Sequence, residues 1–385
     1  MNALRPFGST TEPSLEVVPR PMTLGPDNGS LHELAYRRRL TVHRVIFSLL
    51  VSLAVVLGLL QITKVSPTEI LARLSAASPW ALLAGFLLHI LAYWLRALRF
   101  RILIGSKKVG LTSLFDIMTV HNLMNHVLPF RAGELTYVYL VHQTDRVPLG
   151  EGLGTLAVAR IMELVAFCVY CSLSVVWLRL ARFRFAEEYD PYVWAALWSI
   201  VPLLLALIAL LCLLALKGVP LVKGVRQWAL RGALSRARPA CRLFDAMERA
   251  ALSFAHLRSR RVRLAAFALS LAIMGIVYLV AYVLLSGIGY PMIYPLVVVC
   301  STIAGLVFML PLYGLGGLGT VETGWTLGCL MAGVPKTTAV ASGFSFHIIV
   351  LGYVSLLGIY SIVRLGRSCF GPTAPGVERS ASQTR

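Results

Sequence analysis

Long apolar runs alternate along this chain with short basic stretches. The runs cover about 45–63, 80–95, 152–178, 192–216, 264–287, 291–310 and 338–363. About 20 residues of helix cross roughly 30 Å of hydrocarbon, so most of these runs predict transmembrane helices. Two stretches interrupt the pattern with polar groups. In the first, H-N-L-M-N-H-V-L-P-F-R-A-G-E, from His121 to Glu134, two His, two Asn, a Pro, an Arg and a Glu fall within fourteen residues. The second, L-P-L-Y-G-L-G-G-L-G-T-V-E-T-G-W, runs from Leu310 to Trp325. Both open on Leu-Pro and pass through Gly to a single Glu, Glu134 or Glu322. Pro129 and Gly133, like Pro311, Gly317 and Gly319, predict broken helices. Broken helices persist in a bilayer only when buried in protein or lining a cavity.

Composition agrees with this pattern. Apolar residues make up 57% of the chain and charged ones 14%, with mean hydropathy +0.76, far from an ordinary soluble protein. The net charge of +19 raises nucleic acid as a partner. Its basic residues lie in short loops between apolar runs, however, as expected from positive-inside bias and contact with anionic lipid, so no nucleic acid is expected. Cys168 and Cys171 have C-x-x-C spacing but lack the further ligands of a metal site, and read as packing residues. Neither metal nor cofactor is expected.

The charges also orient the chain. Residues 1–36 read as a disordered cytoplasmic tail, and Arg37, Arg38, Arg39 and Arg44 hold the N-terminus inside. Arg96, Arg99, Arg101, Lys107 and Lys108 return the chain to the cytoplasm after the second span. The loop 179–190 has three Arg against three acids and suits the outside. The segment 217–263 carries twelve Lys or Arg against two acids, with apolar residues at helical spacing from Leu243 to Leu257. It reads as a basic amphipathic surface helix or a solvated linker. Arg364 and Arg367 place the polar 368–385 tail inside.

Counting crossings then makes 111–142 enter and leave from the cytoplasm, and 291–335 from outside. The expected fold is an all-α polytopic membrane protein. It has about six full transmembrane helices plus two oppositely oriented re-entrant helical hairpins. Span, broken hairpin and span occur twice, at about 80–178 and 264–363 within a membrane domain of 37–367. That is an inverted repeat of the kind many secondary transporters use.

Polar groups at membrane depth usually mark a pathway or site. Arg131 and Glu134 stand at i, i+3 and can pair, with Asn122, Asn125 and His126 close by. An Arg fork there suits a lipid phosphate. Arg160 and Glu163 repeat the spacing inside an apolar run, and must face the protein interior. Glu322 has no basic neighbour in sequence, so it finds a partner across the fold, binds a cation or stays protonated. His89 and His347 read as packing residues. Gly314, Gly316 and Gly319 fit the dinucleotide pattern, but they follow a membrane span instead of a strand, which excludes that reading. No nucleophile–base arrangement or P-loop is visible, so an enzyme is not expected.

The stretches N-H-V-L-P-F-R-A-G-E-L and G-L-G-G-L-G-T-V-E resemble the two signatures of the lysylphosphatidylglycerol synthase transmembrane-region family, the flippase-like membrane proteins. The resemblance covers about 45–365. It singles out Asn125, Pro129, Arg131, Gly133 and Glu134, then Gly317, Gly319 and Glu322. In the bacterial multiple peptide resistance factors, this domain is credited with moving aminoacylated phosphatidylglycerol to the outer leaflet. The resemblance implies a stand-alone lipid translocase of the bacterial inner membrane, without the soluble synthase domain. Its partners would be membrane lipids, whether anionic or aminoacylated phospholipid or a polyprenyl or hopanoid lipid, and a lipid-modifying enzyme. The alternatives are a membrane-embedded transferase on lipid-linked substrates and a non-transporting partner of such an enzyme.

Overall fold

Apolar runs in this chain have no water to satisfy their backbones, and helix is the conformation that pairs every N–H within its own segment. The computed structural model describes residues 66–105, 109–128, 133–185, 259–309 and 315–370, with isolated positions at 58, 61 and between 191 and 227. Among them every regular element is helical. In chain order these are α1 (Pro67–Ser75), α2 (Pro79–Ile104), α3 (Leu111–Val127), α4 (Glu134–Asp145), α5 (Leu149–Leu180), α6 (Arg260–Gly287), α7 (Tyr294–Met309), α8 (Thr320–Met331) and α9 (Lys336–Phe370). A short 3-10 turn, Leu315–Gly317, precedes α8.

Four of these, α2, α5, α6 and α9, are long and apolar enough to cross a membrane. The others are too short: α3 and α7, at 17 and 16 residues, reach only about 25 Å each, and the 12-residue α4 and α8 about 18 Å. The expected spans 45–63 and 192–216, most of the basic 217–263 segment, and the terminal tails lie outside the described residues. So do Pro129, Arg131 and Pro311. The short α1 does not show in the apolar pattern. Ser66 caps it, accepting from the Thr68 N–H at 3.2 Å, and Pro67 opens it, two start signals in succession.

One expectation needs correcting. The charge pattern places Arg96, Arg99 and Arg101 in a cytoplasmic loop, but α2 runs on through them to Ile104. It stops at Gly105, which takes φ 70 and donates its N–H to Arg101 O, a left-handed cap that glycine adopts without strain. The helix can continue because Arg99 finds a carboxylate inside the protein.

Packing divides the helices into two similar sets. Tyr93, Phe100, Phe115, Tyr137 and Met162 join α2, α3, α4 and α5 in one core. Val297, Trp325, Val340 and Phe344, with Ala281, join α6, α7, α8 and α9 in another. The sets interlock: α2 lies along α6, α3 packs on α9, and α7 packs on α5. The crossing of α7 on α8 is close. Gly324 and Gly328 face the Cα atoms of Ala304 and Cys300, so that a Cβ on either glycine would stand 2.8 Å from backbone. Small residues four apart on both helices permit this approach. On the outer side of α2, Leu83, Leu87 and Leu91 stay exposed at i, i+4 and i+8, a stripe suited to lipid.

Candidate functional site

The break between α3 and α4 brings the first polar cluster together. Gly133 sits so close to α3 that a Cβ there would collide with the Asn125 backbone nitrogen and the Met124 carbonyl carbon. The approach puts the Gly133 carbonyl 3.0 Å from His121 Nδ1. Glu134 follows in the first turn of α4, where the positive end of the helix favours a carboxylate.

From Glu134 an ion network crosses the bundle. Arg160 on α5 reaches Glu134 with two nitrogens, Nη2 to Oε1 at 2.6 Å and Nε to Oε2 at 3.3 Å. Its Nη1 donates to Glu163 Oε2 at 2.5 Å. Glu163 Oε1 accepts from Arg99 Nη2 at 2.6 Å, and Arg99 Nη1 donates to Ser270 Oγ on α6 at 3.1 Å. His121 Nε2 lies 3.2 Å from Asn125 Nδ2 and 3.4 Å from Arg160 Nη2. A His121 tautomer with its hydrogen on Nδ1, donating to Gly133 and accepting at Nε2, satisfies all three contacts. Two guanidinium groups and two carboxylates thus neutralise one another, and each bond between them is charge-assisted.

The second break repeats this arrangement in different residues. Gly316, Gly317 and Gly319 all take positive φ, between 69 and 85, which lets the chain turn sharply before α8. Glu322 stands in the first turn of α8. Its Oε2 accepts from the Gly319 N–H at 2.7 Å and its Oε1 from His347 Nδ1 at 2.7 Å. Glu134 and Arg160 are 26 residues apart, and Glu322 and His347 are 25 apart. Three positions after each Glu comes an aromatic residue bonded to a hydroxyl five positions before the basic partner. Tyr137 Oη meets Thr155 Oγ1 at 2.9 Å, and Trp325 Nε1 donates to Ser342 Oγ at 3.0 Å.

Between the two breaks lies a cavity of about 290 Å³, walled by α2, α3, α5, α6, α7, α8 and α9. Asn122, Asn125, His126, Arg160 and Glu163, all expected site residues, line it. Glu134 stands behind Arg160 and off the wall. Glu322 is 0% exposed, off the wall, and bonded to His347, which lines it. Arg131 lies outside the described residues, so the expected Arg131–Glu134 pair does too; described partners of Glu134 are Arg160 and, at 3.8 Å, His121.

The sequence reading missed several wall residues: His89, Tyr93, Arg96, Arg99, His121, Ser301, Trp325 and His347. One signal was available. His89, Tyr93, Arg96 and Phe100 recur at i, i+4, i+7 and i+11 and so share a helix face. Asn122 Nδ2 donates to the Tyr93 hydroxyl, and the Arg96 guanidinium lies over the Tyr93 ring, 5.1 Å from its centre. Among the described residues no group of His, Cys, Asp and Glu is arranged to hold a metal ion.

The family model described as the lysylphosphatidylglycerol synthase TM region matches residues 45–358. The chain belongs to this family. The match takes in both breaks, the ion network and every wall of the cavity, and makes the protein a multi-pass membrane protein. It is also similar to the glycosyltransferase AglD of Haloferax volcanii, at 27% identity over 151 residues, 38% of this chain and 24% of that protein. The chain therefore spans about a quarter of the length of the curated relative it matches. No solved structure matches it.

Proposed function

We propose that this member of the lysylphosphatidylglycerol synthase TM region family is a lipid translocase of a bacterial inner membrane. Head groups pass through the cavity while acyl chains stay in the bilayer. The cavity itself carries the reading. It brings three Arg, a Glu and four His to one wall system inside a bundle of apolar helices. Charges at such depth are costly and are kept where they serve a polar solute, and a lipid head group is one.

In this reading α2, α5, α6 and α9 cross fully. The pairs α3–α4 and α7–α8 are re-entrant and enter from opposite faces. The stretches 79–180 and 260–366 form an inverted repeat, with N- and C-termini in the cytoplasm. The interlocked packing supports this, since exchanging the two sets maps α3 on α9 onto α7 on α5. The Glu–aromatic–hydroxyl–base arrangement at both breaks supports it too. Broken helices meeting at a central site are a transporter architecture. An enzyme that modifies the lipid is a natural partner.

A second reading is a membrane-embedded transferase acting on a lipid-linked substrate, which the likeness to a protein named as a glycosyltransferase favours. That likeness covers a quarter of the relative, and no nucleophile–base pair faces the cavity among the described residues. One experiment separates the two. Purified protein in vesicles is given labelled phosphatidylglycerol, lysylphosphatidylglycerol and polyprenyl phosphate, and leaflet exchange is followed with an impermeant quencher. The translocase reading predicts at least one lipid moving about tenfold faster than in protein-free vesicles, without chemical change. Equal rates, or a new lipid product by mass spectrometry with nucleotide sugars present, contradict it.

A further inference from the structure

One guanidinium on the cavity wall stands outside the ion pairs of the described residues. Arg99 and Arg160 are matched by Glu163 and Glu134. Glu322 accepts from the Gly319 N–H and from His347 Nδ1 and lies behind the wall. Arg96 lines the cavity half-buried, yet no described acid pairs with it; its contact is the face of Tyr93. The wall also carries four buried polar atoms with no hydrogen-bond partner among the described residues: His89 Nε2, Arg99 Nε, Ser301 Oγ and His347 Nε2. Unmet groups of this kind are costly in a buried wall and call for water or a ligand. Arg96 and Arg99 are one helical turn apart, so the unpaired guanidinium and the free Nε–H share a face of α2.

Resting on the translocase reading of this cavity, we infer that its substrate is a lipid whose head group carries net negative charge, a phosphate diester or monoester, with Arg96 as the anion anchor. Arg96 supplies a positive charge that forms no ion pair among the described residues, and a phosphate diester supplies one negative charge. Arg99 Nε–H and any protonated His nitrogen on the wall donate to the remaining phosphate oxygens. The ammonium of an aminoacylated lipid would need a carboxylate. Each carboxylate here already accepts from an Arg or His, and freeing one would leave that partner as an uncompensated buried charge. The cavity therefore discriminates against cationic head groups, because the one acid on its wall among the described residues, Glu163, is already held by Arg99 and Arg160.

The test measures binding, so it does not depend on movement across a bilayer. The full chain in detergent is titrated with short-chain phosphatidylglycerol, phosphatidylcholine, lysylphosphatidylglycerol and inorganic phosphate, following tryptophan fluorescence. The expected order places phosphatidylglycerol at least about tenfold tighter than the lysylated lipid, the range of one charge-assisted hydrogen bond. Arg96→Gln lowers phosphatidylglycerol affinity by roughly ten- to hundredfold. Arg101→Gln, on the same helix but off the wall, leaves it unchanged. Among the described residues Arg96 forms no ion pair and lies over the Tyr93 ring, and an unaltered thermal midpoint without lipid checks that the variant folds. Equal or tighter binding of the lysylated lipid, or no effect of Arg96→Gln, overturns the inference. Inorganic phosphate binding as tightly as phosphatidylglycerol overturns the lipid assignment. Anion-selective binding without leaflet exchange counts against the translocase reading alone.

Discussion

Glu163→Gln is the perturbation that probes the ion network most sharply. Glu163 bridges Arg99 and Arg160 with one oxygen each, at 2.6 and 2.5 Å. The amide removes the negative charge and turns a donor towards one guanidinium. Arg160 keeps Glu134. Arg99 keeps only the neutral Ser270 hydroxyl and is 1% exposed, so it becomes an uncompensated buried charge. Breaking a buried pair in this way destabilises by about 3–5 kcal/mol, on the order of two to four decades in the unfolding equilibrium. Adding Arg99→Met removes the stranded cation at similar volume, and the carbonyl oxygen of the introduced amide still accepts from Arg160. Replacing buried ion pairs by apolar residues is often neutral, so the double variant should return to within about 1 kcal/mol of wild type. Reversible unfolding in mixed micelles, followed by far-UV circular dichroism, gives the three stabilities. A single variant as stable as wild type, or a double variant worse than the single, refutes the network as described.

The α7–α8 crossing makes a paired prediction. Gly328→Ala puts a Cβ 2.8 Å from Cys300 Cα and should cost about 1–3 kcal/mol by overpacking. Gly352→Ala, within α9 and facing open space, should be neutral or stabilising by up to about 1 kcal/mol; the same unfolding assay ranks them. The duplicated aromatic–hydroxyl bonds make another. Tyr137→Phe loses one hydrogen bond and should cost about 1 kcal/mol, while Trp325→Phe loses one and also leaves a gap where the buried indole stood and should cost about 2–3 kcal/mol. Thr155 and Ser342 keep bonds to Gly152 O and Ala339 O. The double variant should show the sum, because the two sites share no partner.

Much of the architecture was legible because hydrophobic length is a strong signal. The four long helices fall where apolar runs lie, and both breaks fall where Pro, Gly and polar residues coincide. The sequence was silent on long-range pairing. Arg160 and Glu163 showed their helical spacing, but nothing local tied Arg160 to Glu134, 26 residues away, or Glu322 to His347. Arg99 was misread for a related reason. A basic residue after an apolar run resembles an interfacial anchor, and only the position of α5 beside α2 gives it a buried carboxylate. His347 looked like a packing residue because its partner stands on another helix. The glycines before α8 act through their turn, whereas Gly324 and Gly328 within it serve helix contact.

If head groups pass through the cavity, filling it stops them. Ser301 lines the cavity, and its hydroxyl has no partner among the described residues. Ser301→Phe therefore places a ring against the cavity, and Ser301→Ala removes the hydroxyl without filling it. Leaflet exchange of labelled phosphatidylglycerol should fall to the protein-free rate in vesicles containing Ser301→Phe and stay well above that rate with Ser301→Ala. Wild-type exchange with the cavity filled, in protein that retains its unfolding midpoint, would show that the lipid takes another route.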